Sequence, residues 1–328
     1  MYEAFYGLRE RPFELVPNPR FLFLTARQRE ALSNLQYGLT TARGLTLLIG
    51  EAGTGKTTLV QAALADPSAA GVRVVLMSNP TLTRSEFFEF LARAFNLGEE
   101  AGVSKTRFLF EIRRELQERH QAGVLTALVI DEAQSIPYEL LEEIRLLGNI
   151  ETTTSKLLNV ILAGQPELSD RLNDTSLRQL KQRISLRCQL KPMELNETAS
   201  YIAGRIRIAG GRPEQIFTRE AVAAVFAASG GLPRTVNVLS DNALIGGFAA
   251  QVKPINVAFV EEVCRDFDIS LGIGSPDKVS ALEDHDAQER APNAPRVPAP
   301  ASGEAPSLKR EVPPMFEAVT RKSRFSFF

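Results

Sequence analysis

Apolar positions fall along this chain in two rhythms. Short, nearly continuous apolar runs occur at Leu45–Ile49, Val72–Met77, Leu125–Ile130 and Leu157–Ala163, and a mixed run with Arg187 and Gln189 inside it occurs at Ile184–Leu190. Continuous runs of this length are expected of parallel strands covered by helices on both sheet faces, and the mixed run of an edge strand. Between the runs lie helical patterns. In Lys105–Arg119, Phe108, Ile112 and Leu116 recur four apart with charges on the other side, and Thr57–Leu64 is also read as helix. Alternation of strand and helix predicts a doubly wound α/β domain. After Leu190 the rhythm becomes helical only, with segments at Glu194–Ile208, Arg219–Ala228, Thr235–Ala250 and Val257–Phe267 separated by Pro and Gly. Thr218 ahead of Glu220 marks one of their starts. Beyond about Ser270 the chain turns Pro- and Ala-rich, a composition too poor in apolar burial to offset ordering, and disorder is expected. The expected division is an α/β part with its N-terminal segment over 1–192, a helical part over 193–268 and a disordered tail over 269–328.

Composition narrows the function. Of 328 residues 44% are apolar, enough for a large core, and the formal charge of −1 argues against a dedicated nucleic-acid binder. Cys188, Cys264, His120 and His285 are not spaced as a metal cluster, and the cysteines read as buried thiols of a reducing compartment. Met1 to Val16 lacks the apolar centre of a signal peptide, and no run approaches the roughly 20 residues of a membrane span. A cytoplasmic protein is expected, with attachment at the inner membrane through partners left open.

Gly50-Glu51-Ala52-Gly53-Thr54-Gly55-Lys56-Thr57 matches the phosphate-loop pattern G-x-x-x-x-G-K-[ST], set between a strand and a helix. Triphosphate needs many short-range donors, and glycines let backbone N–H groups approach it. Lys56 would neutralise the β- and γ-phosphates and Thr57 would offer its hydroxyl to Mg²⁺, with Thr58 next in the same helix turn. The run Leu125–Ile130 ends in Asp131-Glu132, at the strand edge where α/β folds bind ligands. Asp131 would hold the metal and Glu132 would polarise the attacking water. The following strand runs into Gly164-Gln165-Pro166-Glu167, where Gln165 is either a γ-phosphate sensor or part of a turn. Arg178, Arg183 and Arg187 cluster around the fifth strand; Arg183, just before it, is either an arginine finger for a neighbouring subunit or a solvated charge. Gly230-Gly231-Leu232-Pro233-Arg234 opens a helix, so Arg234 either reaches the γ-phosphate or decorates the helix surface.

Together these motifs resemble an AAA+ ATPase over most of residues 1–268. The resemblance implies a sheet of order 5-1-4-3-2, a helical lid, and a homo-oligomer with ATP at its subunit interfaces. The start of the chain, Phe5-Tyr6-Gly7-Leu8, Pro12-Phe13, Pro17-Asn18-Pro19-Arg20 and Phe21-Leu22-Phe23-Leu24-Thr25, looks like the general secretion pathway protein A family, as do Gly164–Leu168 and Gln182-Arg183-Ile184. In that family the ATPase serves assembly of an envelope machine, and a secretion or envelope protein is the implied partner. Tyr6, Phe21 and Phe23 either line an adenine pocket or are core. Longer members continue into a membrane span and a peptidoglycan-binding domain; this chain is expected to be a short form. ATPases of polysaccharide-export loci and of transposition are similar in the core. A DNA-binding reading would draw on Arg205, Arg207, Arg212 and Arg219 as a local basic patch, and a nucleotide switch with scarce turnover is disfavoured by Glu132. The tail ends in Phe325, Phe327 and Phe328 among basic residues, either a docking arm or plain disorder.

Overall fold

The computed structural model describes residues 1–16 and 18–269; the tail readings lie outside the described residues. Five parallel strands, β1 (Leu45–Ile49), β2 (Val72–Met77), β3 (Leu125–Ile130), β4 (Asn159–Gly164) and β5 (Ile184–Gln189), form one sheet. Its order is β2-β3-β4-β1-β5, the expected order. The two central partners of the phosphate site are in register at their C-terminal ends, Ile49 opposite Gly164. β5 lies at an edge, as its mixed composition suggested. β2 corrects the expectation of burial on both faces: it is the other edge, and Arg73 and Leu76 are exposed. β4 begins two residues later than its apolar run, because Leu157 and Leu158 are buried ahead of the ladder.

Each sheet face has its own apolar layer. On one side Leu47, Ile49, Leu128, Ile130 and Leu162 pack with Phe87, Phe108, Ile112 and Leu116, the last three from α4 (Lys105–Gln121). On the other, Leu48, Val129 and Ile161 meet Leu35 and Leu39 of α1 (Ala26–Thr40) and Leu59 and Val60 of α2 (Lys56–Ala65). α1 starts in a reciprocal cap, with Gln28 N donating to Thr25 Oγ1 at 3.2 Å and Thr25 N donating to Gln28 Oε1 at 3.0 Å. α3 (Arg84–Ala94), α5 (Tyr138–Leu147) and α6 (Pro166–Arg171) complete the layers.

The helices after β5 are α7 (Leu195–Ile208), α8 (Arg219–Ser229), α9 (Pro233–Ala249) and α10 (Val257–Asp266). Thr218 caps α8 by accepting from Ala221 N at 3.1 Å. Their core contains Ile202, Ile206, Val225, Leu239 and Val260, and also Tyr2, Tyr6, Leu8, Phe13 and Phe21 from the N-terminus. The N-terminal segment, grouped from sequence with the α/β part, therefore packs among the helices. The large aromatic residues of the segment add apolar area to a small helical core. Tyr6 Oη donates to the Leu244 carbonyl at 3.2 Å, so Tyr6 is core.

Candidate active site

The phosphate loop leaves β1 beside β4, with Gly50 N donating to the Gly164 carbonyl at 3.1 Å. Gly53 and Gly55 have φ of 80° and 92°, a left-handed turn that any β-carbon would strain, and Gly55 opens α2. Gly53 is also needed as glycine for space: an added Cβ would lie 3.1 Å from Arg234 Cβ. Lys56 is 5% exposed, and its Nζ donates to the carbonyls of Gly50 at 2.8 Å and Glu51 at 3.0 Å. Burial lowers its ammonium pKa below that of an ordinary lysine, while Glu132, Asp131 and Glu167 oppose the shift.

β3 carries Asp131 to the same edge, where Asp131 N donates to the Met77 carbonyl at 2.9 Å. Its carboxylate then joins the two motifs. Oδ2 accepts from Thr57 Oγ1 at 2.5 Å, and Oδ1 accepts from Glu132 N at 2.9 Å. Two hard oxygen donors on one spot suit Mg²⁺ in chemistry. Glu132 sits in the left-handed region at φ 52°, a conformation costly for a non-glycine residue and concentrated at functional turns. It lines the cleft with Gly53–Thr58.

Gln134, which sequence reasoning missed, holds that carboxylate. Its Nε2 donates to Glu132 Oε2 at 2.6 Å, and its Oε1 accepts from Gln165 N at 3.0 Å. Because a backbone N–H can only donate, the amide must turn its oxygen to Gln165 and its nitrogen to Glu132. Arg171 pins the same turn, donating to the carbonyls of Gln134 at 2.6 Å and Ile136 at 2.8 Å. Gly164 leaves room for it: an added Cβ would stand 3.2 Å from Gln134 Oε1. Gln165 itself begins α6, next to the loop, but is absent from the residues lining the cleft. The one local hint of Gln134 was an amide two residues after Glu132.

Arg234, at the start of α9, lines the cleft, and its N–H donates to the Gly53 carbonyl at 3.3 Å. Arg183 lies elsewhere. It precedes β5, whose Ile184 pairs with Leu45, so it stands at the far end of β1 from the loop. A strand of five residues spans roughly 16 Å. There Arg183 and Arg178 are exposed, and Arg183 borders a small recess with Arg43 and Lys156. The basic-patch expectation is corrected at Arg205, which is buried in the cleft wall, while Arg207, Arg212 and Arg219 are exposed. Its guanidinium lies 5.0 Å from the Phe21 ring centroid. Phe21 and Phe23 both line the cleft, whose volume is about 390 Å³, within the usual small-molecule range. Cys188 and Cys264 are both buried, unpaired thiols. No helix among the described residues is long and apolar enough to cross a membrane.

Comparison with known proteins agrees with this geometry. Residues 39–172 match the AAA domain family. Over 253 residues the chain is 40% identical to general secretion pathway protein A of Aeromonas hydrophila, covering 76% of this chain and 45% of that protein. The chain thus spans less than half the length of that relative. Among solved structures, the ORC2 protein of Aeropyrum pernix in its ADPNP–ADP complexes has a TM-score of 0.57 at 16% identity, covering 77% of this chain and 71% of that one. Drosophila ORC bound to DNA has a TM-score of 0.60 at 18% identity, covering 86% and 68%. At such identities these two matches speak to the fold alone. The AAA domain over the phosphate loop and the acidic pair, with the identity to general secretion pathway protein A, makes this chain a member of the AAA+ family, in the group of that secretion protein.

Proposed function

We propose that this chain binds ATP with Mg²⁺ in the cleft at Gly50–Thr57 and hydrolyses it, using the cycle as a motor or switch in a bacterial secretion or envelope-assembly system. The observation that carries the reading is the 2.5 Å contact of Thr57 Oγ1 with Asp131 Oδ2, which joins the loop to the acidic pair. Thr57 and Asp131 would hold Mg²⁺, which when bound neutralises charge on the β- and γ-phosphates. Lys56 would release its two loop carbonyls to meet phosphate oxygens, where its ammonium would offset their negative charge. Glu132, oriented by Gln134, would draw the proton from the attacking water. Arg234 approaches the loop from α9 and would bring the helices down on the γ-phosphate, making them a lid. Gln165 would help orient the attacking water indirectly, its backbone N–H holding the Gln134 amide that grips Glu132.

Arg183 is the wrong distance from its own loop to serve it, which fits a finger offered to the next subunit of a homo-oligomer. The secretion role rests on the Aeromonas relative, whose name is that of a secretion-pathway protein. A DNA-binding role is weakened by the burial of Arg205. Phosphate release and nucleotide binding test the core claim. Lys56→Ala should lose ATP binding. Glu132→Gln should retain binding and lose turnover by about 10²–10⁴-fold. Normal ATP affinity in folded Lys56→Ala would refute the site.

A further inference from the structure

One turn of α9 beyond Arg234, three polar side chains in the cleft wall form a single directed chain. Arg205 Nη1 donates to Tyr201 Oη at 2.7 Å, and Tyr201 Oη donates to Asn237 Oδ1 at 2.8 Å. Their exposures are 8%, 5% and 7%, and all three line the cleft. Buried polar groups cost stability unless satisfied, so a chain of three requires a reason.

Its direction follows from chemistry. A guanidinium can only donate, so Tyr201 accepts from Arg205. The phenol proton is then left to donate, and Asn237 must offer its carbonyl oxygen to receive it. The amide nitrogen of Asn237, with two N–H donors, is thereby turned away from Tyr201. Among the described residues no protein acceptor takes these donors, yet the nitrogen is not sealed from solvent. The surface that Asn237 reaches is the cleft. Arg205 is held in turn by the Pro12 carbonyl, to which its Nε donates, and by the faces of Phe21 at 5.0 Å and Tyr201 at 5.3 Å. No carboxylate among the described residues pairs with it. A charged donor at the head of the chain strengthens each bond after it.

We propose that this relay makes Asn237 the donor that holds the nucleobase of the bound nucleotide, by an N–H to an acceptor on the base edge. The proposal rests on the reading of the cleft as an ATP site and adds the group that grips its nucleoside half. Phe21 and Phe23, on the N-terminal segment, supply aromatic surface to the same cleft. The Arg205 bond to Pro12 therefore ties base binding to the fastening of that segment on the helices.

Titration calorimetry on the full chain with ATP and with inorganic tripolyphosphate tests this. Tyr201→Phe removes one oxygen and keeps the ring that packs 5.8 Å from Phe23. Tyr201→Phe and Asn237→Ala should each weaken ATP by about 3–10-fold, the worth of one hydrogen bond, and leave tripolyphosphate affinity unchanged. Lys56→Ala should lose both ligands. Unchanged ATP affinity in both relay variants overturns the proposal, as does an equal loss for both ligands, which would mean a packing role. A wild-type chain that binds tripolyphosphate as tightly as ATP overturns it too while leaving the phosphate site intact. Lys56→Ala with normal affinity for both ligands would instead bring down the phosphate site itself, and this proposal with it.

Discussion

Two adjacent glycines at the entry to α9 offer a controlled perturbation. Gly230 and Gly231 have φ of 57° and 75°, so an alanine at either pays the left-handed strain of about 1–2 kcal/mol. Their surroundings differ. An added Cβ at Gly230 meets nothing within 4 Å, whereas at Gly231 it would fall 1.9 Å from the Met193 carbonyl oxygen and 2.9 Å from the Met193 carbonyl carbon. These are backbone atoms, which no rotamer change can remove. Relief requires the two segments to part, and they are joined by Met193 N donating to the Gly231 carbonyl at 2.9 Å. Both groups are in buried residues, and leaving them unpaired costs about 1–3 kcal/mol each. Gly231→Ala should therefore cost about 3–8 kcal/mol and Gly230→Ala about 1–2 kcal/mol. Parting these segments also moves Arg234, three residues on, away from Gly53, so ATP turnover should fall in Gly231→Ala beyond what unfolding explains. Urea titration followed by circular dichroism, needed because the chain has no tryptophan, measures the first effect. Phosphate release under folding conditions measures the second. Equal losses in the two variants would refute the steric argument.

Further outcomes follow from the site. Gln134→Leu should lower turnover on the order of tenfold with ATP affinity unchanged, because the carboxylate of Glu132 loses its only side-chain donor among the described residues; a variant with full turnover would show that Glu132 positions itself. Arg183→Ala should be nearly inactive, since a missing finger costs about 10³–10⁵ in rate, and Glu132→Gln should be nearly inactive for want of its base. Mixed, they should recover activity at interfaces that pair an intact Glu132 with an intact Arg183; a co-assembled mixture that stays inactive removes Arg183 as the finger and leaves Arg178 to test.

The strands β1, β2 and β3 were readable to the residue, because a strand in a layered fold leaves a short apolar run with polar turns on both sides. The phosphate loop was readable for a similar reason: its glycines, lysine and threonine act within eight consecutive residues. Helix α1 left little trace, since only Ala31, Leu35, Gly38 and Leu39 of its 15 residues are buried and polar residues are interspersed among its apolar ones. The run at Val72–Met77 could not announce an edge strand, because which strand has a neighbour depends on the order of the whole sheet. Arg205 and Arg207 look alike in sequence, and only the angle between them on α7 puts one in the cleft wall and the other in water. Gln134 meets Gln165, 31 residues later, and Tyr201 meets Asn237, 36 residues later. Pro12 meets Arg205 across 193 residues. What the chain alone determined was where most strands and helices run and the phosphate loop between two of them, which is written in neighbouring positions. The partners of single polar side chains were decided by tertiary structure, because a hydrogen bond depends on two atoms meeting in space, and sequence separation does not encode that meeting.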